Sequence, residues 1–249
     1  MRILVLRFDA PLISLGAPII DNYGEIQQFP ALSMLTGLLA NTLGYDHSDY
    51  DRLNKLQSRI IFAARQEIPG KKIRDYQTAD LNQDYMNMNI MGWTTYNKRD
   101  NRKGRSASRG THTRYRDYLA DSVITVFVTL SPENQKPTID NLIKALLNPE
   151  RPLFIGRKCC IPSSSILADV IDGYDLLEAL KYYPLFNRER MQEYVHKKNV
   201  FAQWPDEKKK KTSPVLSIMD KREWQNQIHC GERLVRQGNI RLDGESSNV

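Results

Sequence analysis

The spacing of apolar residues changes several times along the first half of the chain. Residues 2–8 form a short apolar run bounded by polar residues and proline, which predicts a buried strand. Leucines recur at helical spacing through residues 31–43, and Gly44 offers a C-terminal cap, so the next predicted element is a helix. Two strands joined by a turn at Pro69 and Gly70 are predicted to follow.

The second half of the chain continues this alternation. Residues 118–130 are apolar on both faces of an extended chain, which predicts a central strand. The Ser-Pro-Glu sequence at 131–133 predicts the start of a helix, because it combines a capping hydroxyl, a proline and an acidic residue. A strand at residues 152–156, a short amphipathic helix at 174–183 and a candidate strand at 192–204 complete the pattern.

The predicted order of strand, helix, strand, strand, helix and strand is that of ferredoxin-like folds. We therefore expect an α+β protein with an RRM-type fold, in which an antiparallel sheet carries helices on one face and leaves the other open to RNA. This fold is predicted to comprise residues 1–78 and 117–203, with residues 79–116 as a basic insertion. Residues 204–249 are expected to form a short, poorly ordered C-terminal extension with a disordered end.

A basic arm at residues 96–118 carries eight cationic residues against two aspartates. Arginine can meet phosphate oxygens in a two-pronged geometry, and tyrosines within the arm can stack on unpaired bases, so the arm predicts a single-stranded nucleic acid partner. The alternative is an ordinary solvated surface loop. The candidate arginines of the arm are Arg99, Arg102, Arg105, Arg109, Arg114 and Arg116.

The overall charge agrees with an acidic partner. The net charge of +7 and the pI of about 9.2 favour nucleic acid first and an anionic membrane surface second. No apolar run approaches the roughly 18 to 20 residues that span a bilayer, and the first residues become charged too early for a signal peptide, so a cytoplasmic location is expected. The three cysteines and four histidines lack metal-ligand spacing, so neither a metal nor a cofactor is predicted.

Five blocks of sequence carry a resemblance to a known family. In chain order they are LVLRFDAPLISLG, FPALSMLTGLLANTLGYD, KIRDYQTAD, TRYRDYLADSVITVFV and LLNPERPLFIGRKCCIPSSSI. Together they cover roughly residues 1–165 and resemble the Cas-five family of repeat-associated RNA-binding proteins, as found in the type I-E CRISPR complex Cascade. The order of the blocks is more specific than any one of them.

The resemblance implies a non-catalytic RNA-binding subunit that takes part in antiviral defence, in which the RRM-type fold is the palm and the insertion at residues 79–116 is the thumb. Such subunits hold the 5′ handle of crRNA, contact the large subunit and the backbone subunits, and meet target DNA through the assembled complex. Neither a cofactor nor a membrane partner is implied. By the same resemblance, contacts to the handle would fall on Arg7, Ser14, Gly16, Ser33, Arg74, Tyr76, Gln77, Arg157 and Lys158.

Two other functions remain open from the sequence. The first is a metal-independent endoribonuclease similar to the type I-C relatives in the family, for which His112 and Tyr115 are the candidate catalytic residues. The second is a basic RNA-binding protein unrelated to CRISPR, which the charge and the sheet alone would also fit.

Overall fold

The computed structural model describes residues 1–17, 22–80, 92–93, 99–100, 111–173, 175–186, 199–206 and 214–242. The helices are α1 (Leu32–Thr42), α2 (Tyr50–Arg59), α3 (Ile139–Leu147) and α4 (Leu176–Tyr182). The strands are β1 (Arg2–Asp9), β2 (Leu12–Ile13), β3 (Tyr23–Gly24), β4 (Ile60–Ile68), β5 (Lys71–Asp80), β6 (Gly92–Trp93), β7 (Arg99–Asp100), β8 (Thr111–Ala120), β9 (Val123–Leu130), β10 (Leu167–Asp172), β11 (Asn199–Pro205), β12 (Val215–Ile218), β13 (Arg222–Glu223), β14 (Ile228–His229) and β15 (Arg233–Arg241).

A seven-stranded antiparallel sheet forms the centre of the molecule, with the strand order β10-β1-β9-β4-β11-β15-β12. Strand β9 lies between β1 and β4 and is buried along its whole length. A strand that is apolar on both sides needs cover on both faces of its sheet. The predicted α+β class with a large antiparallel sheet is therefore confirmed.

The two faces of this sheet pack against different helices. Alternate side chains of β1, such as Leu4 and Leu6, join a core with α1, α2 and α3. The intervening Ile3 and Val5 join a second core with α4. The prediction that helices lie on one face only is wrong, because α4 also covers the face that was expected to be open. Packing a helix against an apolar sheet face stabilises the fold, because each large apolar side chain that becomes fully buried contributes about 1.5–3 kcal/mol.

Three differences between the predicted and observed elements occur in residues 50–147. Helix α2 precedes β4, although the sequence indicated only a strand in this region. The predicted strand at 118–130 is two strands, because Asp121 adopts a positive φ of 53° between β8 and β9 and turns the chain. The predicted helix start at 131–133 is also wrong, since α3 begins after Thr138, whose side chain accepts from the Asn141 backbone in a capping box.

The three predictions for residues 152–204 have different outcomes. Residues 152–156 contain no strand, and β10 supplies the edge of the sheet instead. The short helix at 174–183 is confirmed as α4, and its Asp175 side chain caps the first turn. The candidate strand at 192–204 corresponds to β11, while residues 192–198 lie outside the described part of the chain.

Residues 214–242, near the C-terminus, are an integral part of the fold. Strands β15 and β12 extend the main sheet beyond β11. Asp220 accepts hydrogen bonds from the Leu32 N–H through its carboxylate and from the Ser33 N–H through its carbonyl, and it pairs with Arg233 at 2.6 Å. The expectation of a poorly ordered extension is wrong for these residues, because they cap α1 and complete the sheet. Residues 243–249 lie outside the described part.

Candidate nucleic-acid interface

A second sheet is built around β8 and carries much of the predicted interface. Strand β5 pairs antiparallel with β8 along the whole length of both strands. On the other edge of β8, β2 pairs near residue 119, and β3 runs parallel with Tyr23 opposite Tyr115. Tyr118 and Leu119 of β8 belong to the main core. The β5–β8 ribbon is therefore anchored in the core at this end.

Three tyrosines form a row across this sheet, which we call the tyrosine row: Tyr23, Tyr115 and Tyr76. The pairing of the strands places Tyr115 opposite Tyr76 on one side and opposite Tyr23 on the other. The Tyr23 and Tyr115 rings are stacked, with centroids 5.1 Å apart and planes at 11°, and the Tyr76 ring lies 5.3 Å from Tyr115. Tyr23 is 46% exposed and Tyr76 is 56% exposed. The row therefore offers aromatic surface to a ligand.

Two cations on the ribbon share one buried carboxylate. Arg74 donates two hydrogen bonds to Asp117, and the Lys72 ammonium lies 2.8 Å from the same side chain. These contacts, above all the hydrogen bond from Arg74, lower the pKa of Asp117 to about 2. The Arg74 guanidinium also lies 5.7 Å from the centre of the Tyr23 ring. Part of the positive charge beside the tyrosine row is thus balanced within the protein.

Replacing Asp117 by asparagine tests this balance. Its lowered pKa means that the carboxylate contributes stability above its ordinary pKa of 3.8, and that this contribution is lost as the pH falls towards about 2. We expect Asp117→Asn to unfold at lower urea concentration at pH 7 and to lose less stability between pH 4 and 2. An unchanged urea midpoint at pH 7, or an equal loss of stability between pH 4 and 2 in both proteins, would contradict this balance.

On the other side of β8, two guanidinium groups pack against Gly24. A Cβ atom at Gly24 would lie 2.7 Å from Arg157 Nη2 and 2.8 Å from Arg116 Nη1. Arg157 donates to the backbone oxygens of Asp117 at 3.2 Å and Gly24 at 3.4 Å, and it lies 4.9 Å from the Tyr118 ring centre. The structure therefore brings Arg116 and Arg157 together, although they are far apart in the sequence.

The turn that carries Arg157 is fixed by its glycine. Gly156 has a φ of 91°, and a Cβ atom there would lie 1.8 Å from the Ser14 carbonyl oxygen. This close approach holds the basic turn against the chain that follows β2, where Gly16 forms an isolated bridge with Ile26. Ser14 itself is buried, whereas Lys158 is exposed next to Arg157. The backbone thus positions one arginine and one lysine at the foot of the ribbon.

Comparisons with known proteins identify the family of this chain. The family model described as CRISPR-associated protein (Cas_Cas5) matches residues 3–236, which is nearly the whole chain. The chain belongs to this family. The resemblance found in the five sequence blocks is therefore confirmed.

One relative of this Cas_Cas5 family chain and two solved structures are similar to it over most of its length. The CRISPR system Cascade subunit CasD of Escherichia coli (strain K12) is 27% identical over 188 residues, which cover 72% of this chain and 76% of the relative. A solved structure described as a CRISPR RNA-guided surveillance complex contains a chain with a TM-score of 0.69 and 20% identity, covering 96% of this chain and 90% of that one. A crystal structure of a Cas protein has a TM-score of 0.59 at 20% identity, covering 97% and 96%. These two structures support the fold.

Two residues predicted to contact RNA in this family chain lie away from the tyrosine row. Arg7 packs on the α4 side of the main sheet, 3.8 Å over the ring of Phe186. Ser33 is buried at the start of α1, where its N–H donates to the Asp220 carbonyl. Their assignment as RNA contacts stays a prediction.

The remaining predicted residues divide into three groups. Gln77 and Arg114 lie on the ribbon, where Gln77 donates to Asp75 and Arg114 donates to Asn22 at 2.7 Å. Arg99 lies in β7, but the placement of its side chain is not described. Three arginines of the predicted thumb lie outside the described residues: Arg102, Arg105 and Arg109. The thumb boundaries at 79–116 therefore stay a prediction.

The candidate nuclease residues lie on the same strand. His112 pairs with Ala79 in the ribbon, and Tyr115 is the central member of the tyrosine row.

Among the residues that the structure describes, no group of three or more His, Cys, Asp or Glu side chains is arranged to hold a metal ion. In that same part of the chain, no helix is long and apolar enough to cross a membrane.

Sequence reasoning missed two members of this site. Tyr23 lies in a segment punctuated by glycine and proline, and its parallel pairing with β8 is a non-local contact that local patterns do not reveal. Lys72 stands at the start of β5 and was not singled out, although its position two residues before Arg74 places both on one face of a strand. Strand alternation is the signal that could have identified Lys72.

Proposed function

We propose that this chain is a non-catalytic subunit of a Cascade surveillance complex that holds the 5′ handle of crRNA. The observation that carries the proposal is the exposed tyrosine row beside the cations at the base of the ribbon. The E. coli relative is described as a Cascade subunit, and a chain of similar fold comes from an RNA-guided surveillance complex. Its partners would be crRNA, the large and backbone subunits, and target DNA through the assembly.

The chemistry of the site favours single-stranded RNA over a duplex. Rings that are exposed in a row can stack on bases only when those bases are unpaired and turned outward. Arg157 and Lys158 at the foot of the ribbon can bind phosphate while the rings hold bases. Affinity would then come mainly from phosphate contacts, and preference for the handle from the stacked bases.

The strand order also supports an RRM-type palm. Strands β10, β1, β9 and β4 stand in the order fourth, first, third and second of a strand-helix-strand-strand-helix-strand unit. In this chain, however, α4 covers the sheet face that RRM domains use for RNA. We therefore place RNA binding on the second sheet rather than on the palm sheet.

The test is the RNA that the protein retains. The chain is expressed in cells together with a CRISPR array and the other subunits of its system, and the RNA purified with it is sequenced. We expect one RNA class of uniform length with a fixed 5′ sequence derived from the repeat. A mixed population dominated by ribosomal fragments would contradict the proposal.

Binding without cleavage is a separate expectation. Purified protein incubated with its repeat RNA in the presence of a chelator should leave the RNA intact, as judged on a denaturing gel. His112→Ala is the matched variant, and it should give the same result as the unchanged protein. Site-specific cleavage that the variant loses would instead establish the endoribonuclease function.

The third function considered from the sequence has lost its support. A basic RNA-binding protein unrelated to CRISPR would have no reason to match the Cas_Cas5 family model over residues 3–236. Charge and fold alone could not separate these classes, since one fold can host many functions.

A further inference from the structure

A cleft of about 660 Å³ lies in the helical layer, away from the tyrosine row, where the end of α1 meets α2 and α3. Four cationic side chains line it: Arg52, Lys55, Lys136 and Lys144. Glu150 supplies a single carboxylate, and Leu43, Pro137 and Ala145 contribute apolar surface. The cleft is therefore a strongly cationic concavity with some apolar lining, and the proposed RNA site makes no use of it.

Two arginines make the walls of this cleft rigid. Arg59 is buried and donates to three carbonyl groups of the loop before α3, those of Pro132, Gln135 and Pro137. Burial lowers the pKa of Arg59, because a charged guanidinium loses hydration when it lies beneath this loop. On the opposite side, Arg151 donates to the carbonyl of Tyr45 at 2.7 Å. The loop that carries Lys136 and the turn that carries Tyr45 are thus fixed in place before any ligand arrives.

The cations in the cleft are largely unbalanced. In the described part of the chain, Lys55, Lys136 and Lys144 have no carboxylate within ion-pair distance. Arg52 lies 3.7 Å from Asp49 and also 3.7 Å over the Tyr45 ring, so stacking orients its guanidinium. A guanidinium held in this way is ready to pair with a carboxylate in a two-pronged geometry.

We infer that this cleft docks an acidic peptide segment of another protein subunit. Its volume lies within the range of pockets that enclose a ligand, whereas a duplex backbone needs cations spread over an open surface. Asn141 and Asn148, which also line the cleft, can hydrogen-bond a peptide backbone, and the apolar lining suits side chains between the acidic residues. This inference rests on the proposed assembly with other subunits and adds a second contact, separate from RNA.

The experiment places a photo-crosslinking amino acid at Lys55 in the assembled complex and identifies the crosslinked segment by mass spectrometry. We expect a segment of another protein chain that is rich in Asp and Glu. The double variant Lys136→Glu/Lys144→Glu should lower the crosslink yield about tenfold, because close charge pairs at interfaces are worth more than 1 kcal/mol. The matched control Lys181→Glu/Arg241→Glu changes the net charge equally outside the cleft and should leave the yield within about twofold.

Reversing the charges of the identified acidic residues should restore the yield with the double variant, which a merely structural effect would not do. The inference would be overturned by a crosslink to nucleotides or to a protein segment without acidic residues. It would also be overturned if the crosslink yield from position 55 were no higher than the yield from the same crosslinker placed at Lys181. If the complex still retains its RNA in that case, the proposed function stands and only the docking site fails. If the unchanged chain neither assembles nor retains RNA, both fail together.

Discussion

Alanine in place of Arg65 is expected to lower the free energy of unfolding by about 3–5 kcal/mol, the cost of removing one partner of a buried ion pair. The Arg65 side chain is fully buried, and its guanidinium lies 2.8 Å from Glu67 Oε1. Without it, the Glu67 carboxylate keeps the Thr125 hydroxyl as a donor but has no positive partner. Three backbone carbonyls would also lose their donor, those of Leu180, Tyr183 and Pro184.

Urea and thermal unfolding measure this loss, and Tm should fall by roughly 6–20 °C for a chain of this size. The matched control is Arg2→Ala, which removes an exposed ion pair with Asp140 and should cost less than about 1 kcal/mol. The double variant Arg65→Met/Glu67→Leu should recover part of the stability, because no isolated charge then remains buried. If Arg65→Ala unfolds like Arg2→Ala, the buried pair is not a determinant of the fold.

Arg65 also bears on where RNA can bind. Its three carbonyl partners lie in α4 and just after it, so the guanidinium ties this helix and the residues that follow it to the main sheet. Glu67 supports the same contact by accepting from the Phe186 N–H. Because α4 is held in this way, the sheet face that was expected to bind RNA is covered. The tyrosine row lies instead on the second sheet, around β8.

The elements with the strongest apolar periodicity were predictable from the sequence. Strand β9 is mostly apolar and is buried at every position, and α1 repeats leucine at helical spacing, so local pattern and final burial agree. Helix α2 was missed because Leu53 and Leu56 alone give it a narrow apolar stripe among charged residues. Strand β15 was missed because its burial depends on pairing with β11 and β12, and its own sequence is rich in polar residues.

The candidate site was predictable to a similar extent. The charge of the basic arm pointed to Arg116, and the family resemblance pointed to Arg74, Tyr76 and Arg157. Their arrangement around β8 was not predictable, because it depends on the pairing of β3 with β8 and on the approach of the Gly156 turn to Ser14. Contacts between distant segments leave little trace in the local pattern of either segment.

Removing rings from the tyrosine row is expected to weaken the binding of single-stranded handle RNA. The double variant Tyr23→Ala/Tyr76→Ala removes the two exposed rings on either side of Tyr115. Each lost base stack is worth about 1–3 kcal/mol, so even one lost stack should raise the Kd about 5-fold to 150-fold. Both side chains are about half exposed, so the free energy of unfolding should change much less than the binding free energy.

Fluorescence anisotropy with a labelled handle RNA over a range of salt concentrations separates stacking from charge. The variant Tyr23→Phe/Tyr76→Phe keeps the aromatic faces and should bind within about twofold of the unchanged protein, because stacking needs the ring rather than the hydroxyl. The alanine variant should keep the salt slope, whereas Arg157→Gln should reduce the slope by about one if Arg157 contacts phosphate. Tyr182→Ala removes a similarly exposed ring on α4 and should have no effect on binding. Equal loss in the phenylalanine and alanine variants would show that the hydroxyls, and not the ring faces, recognise the RNA.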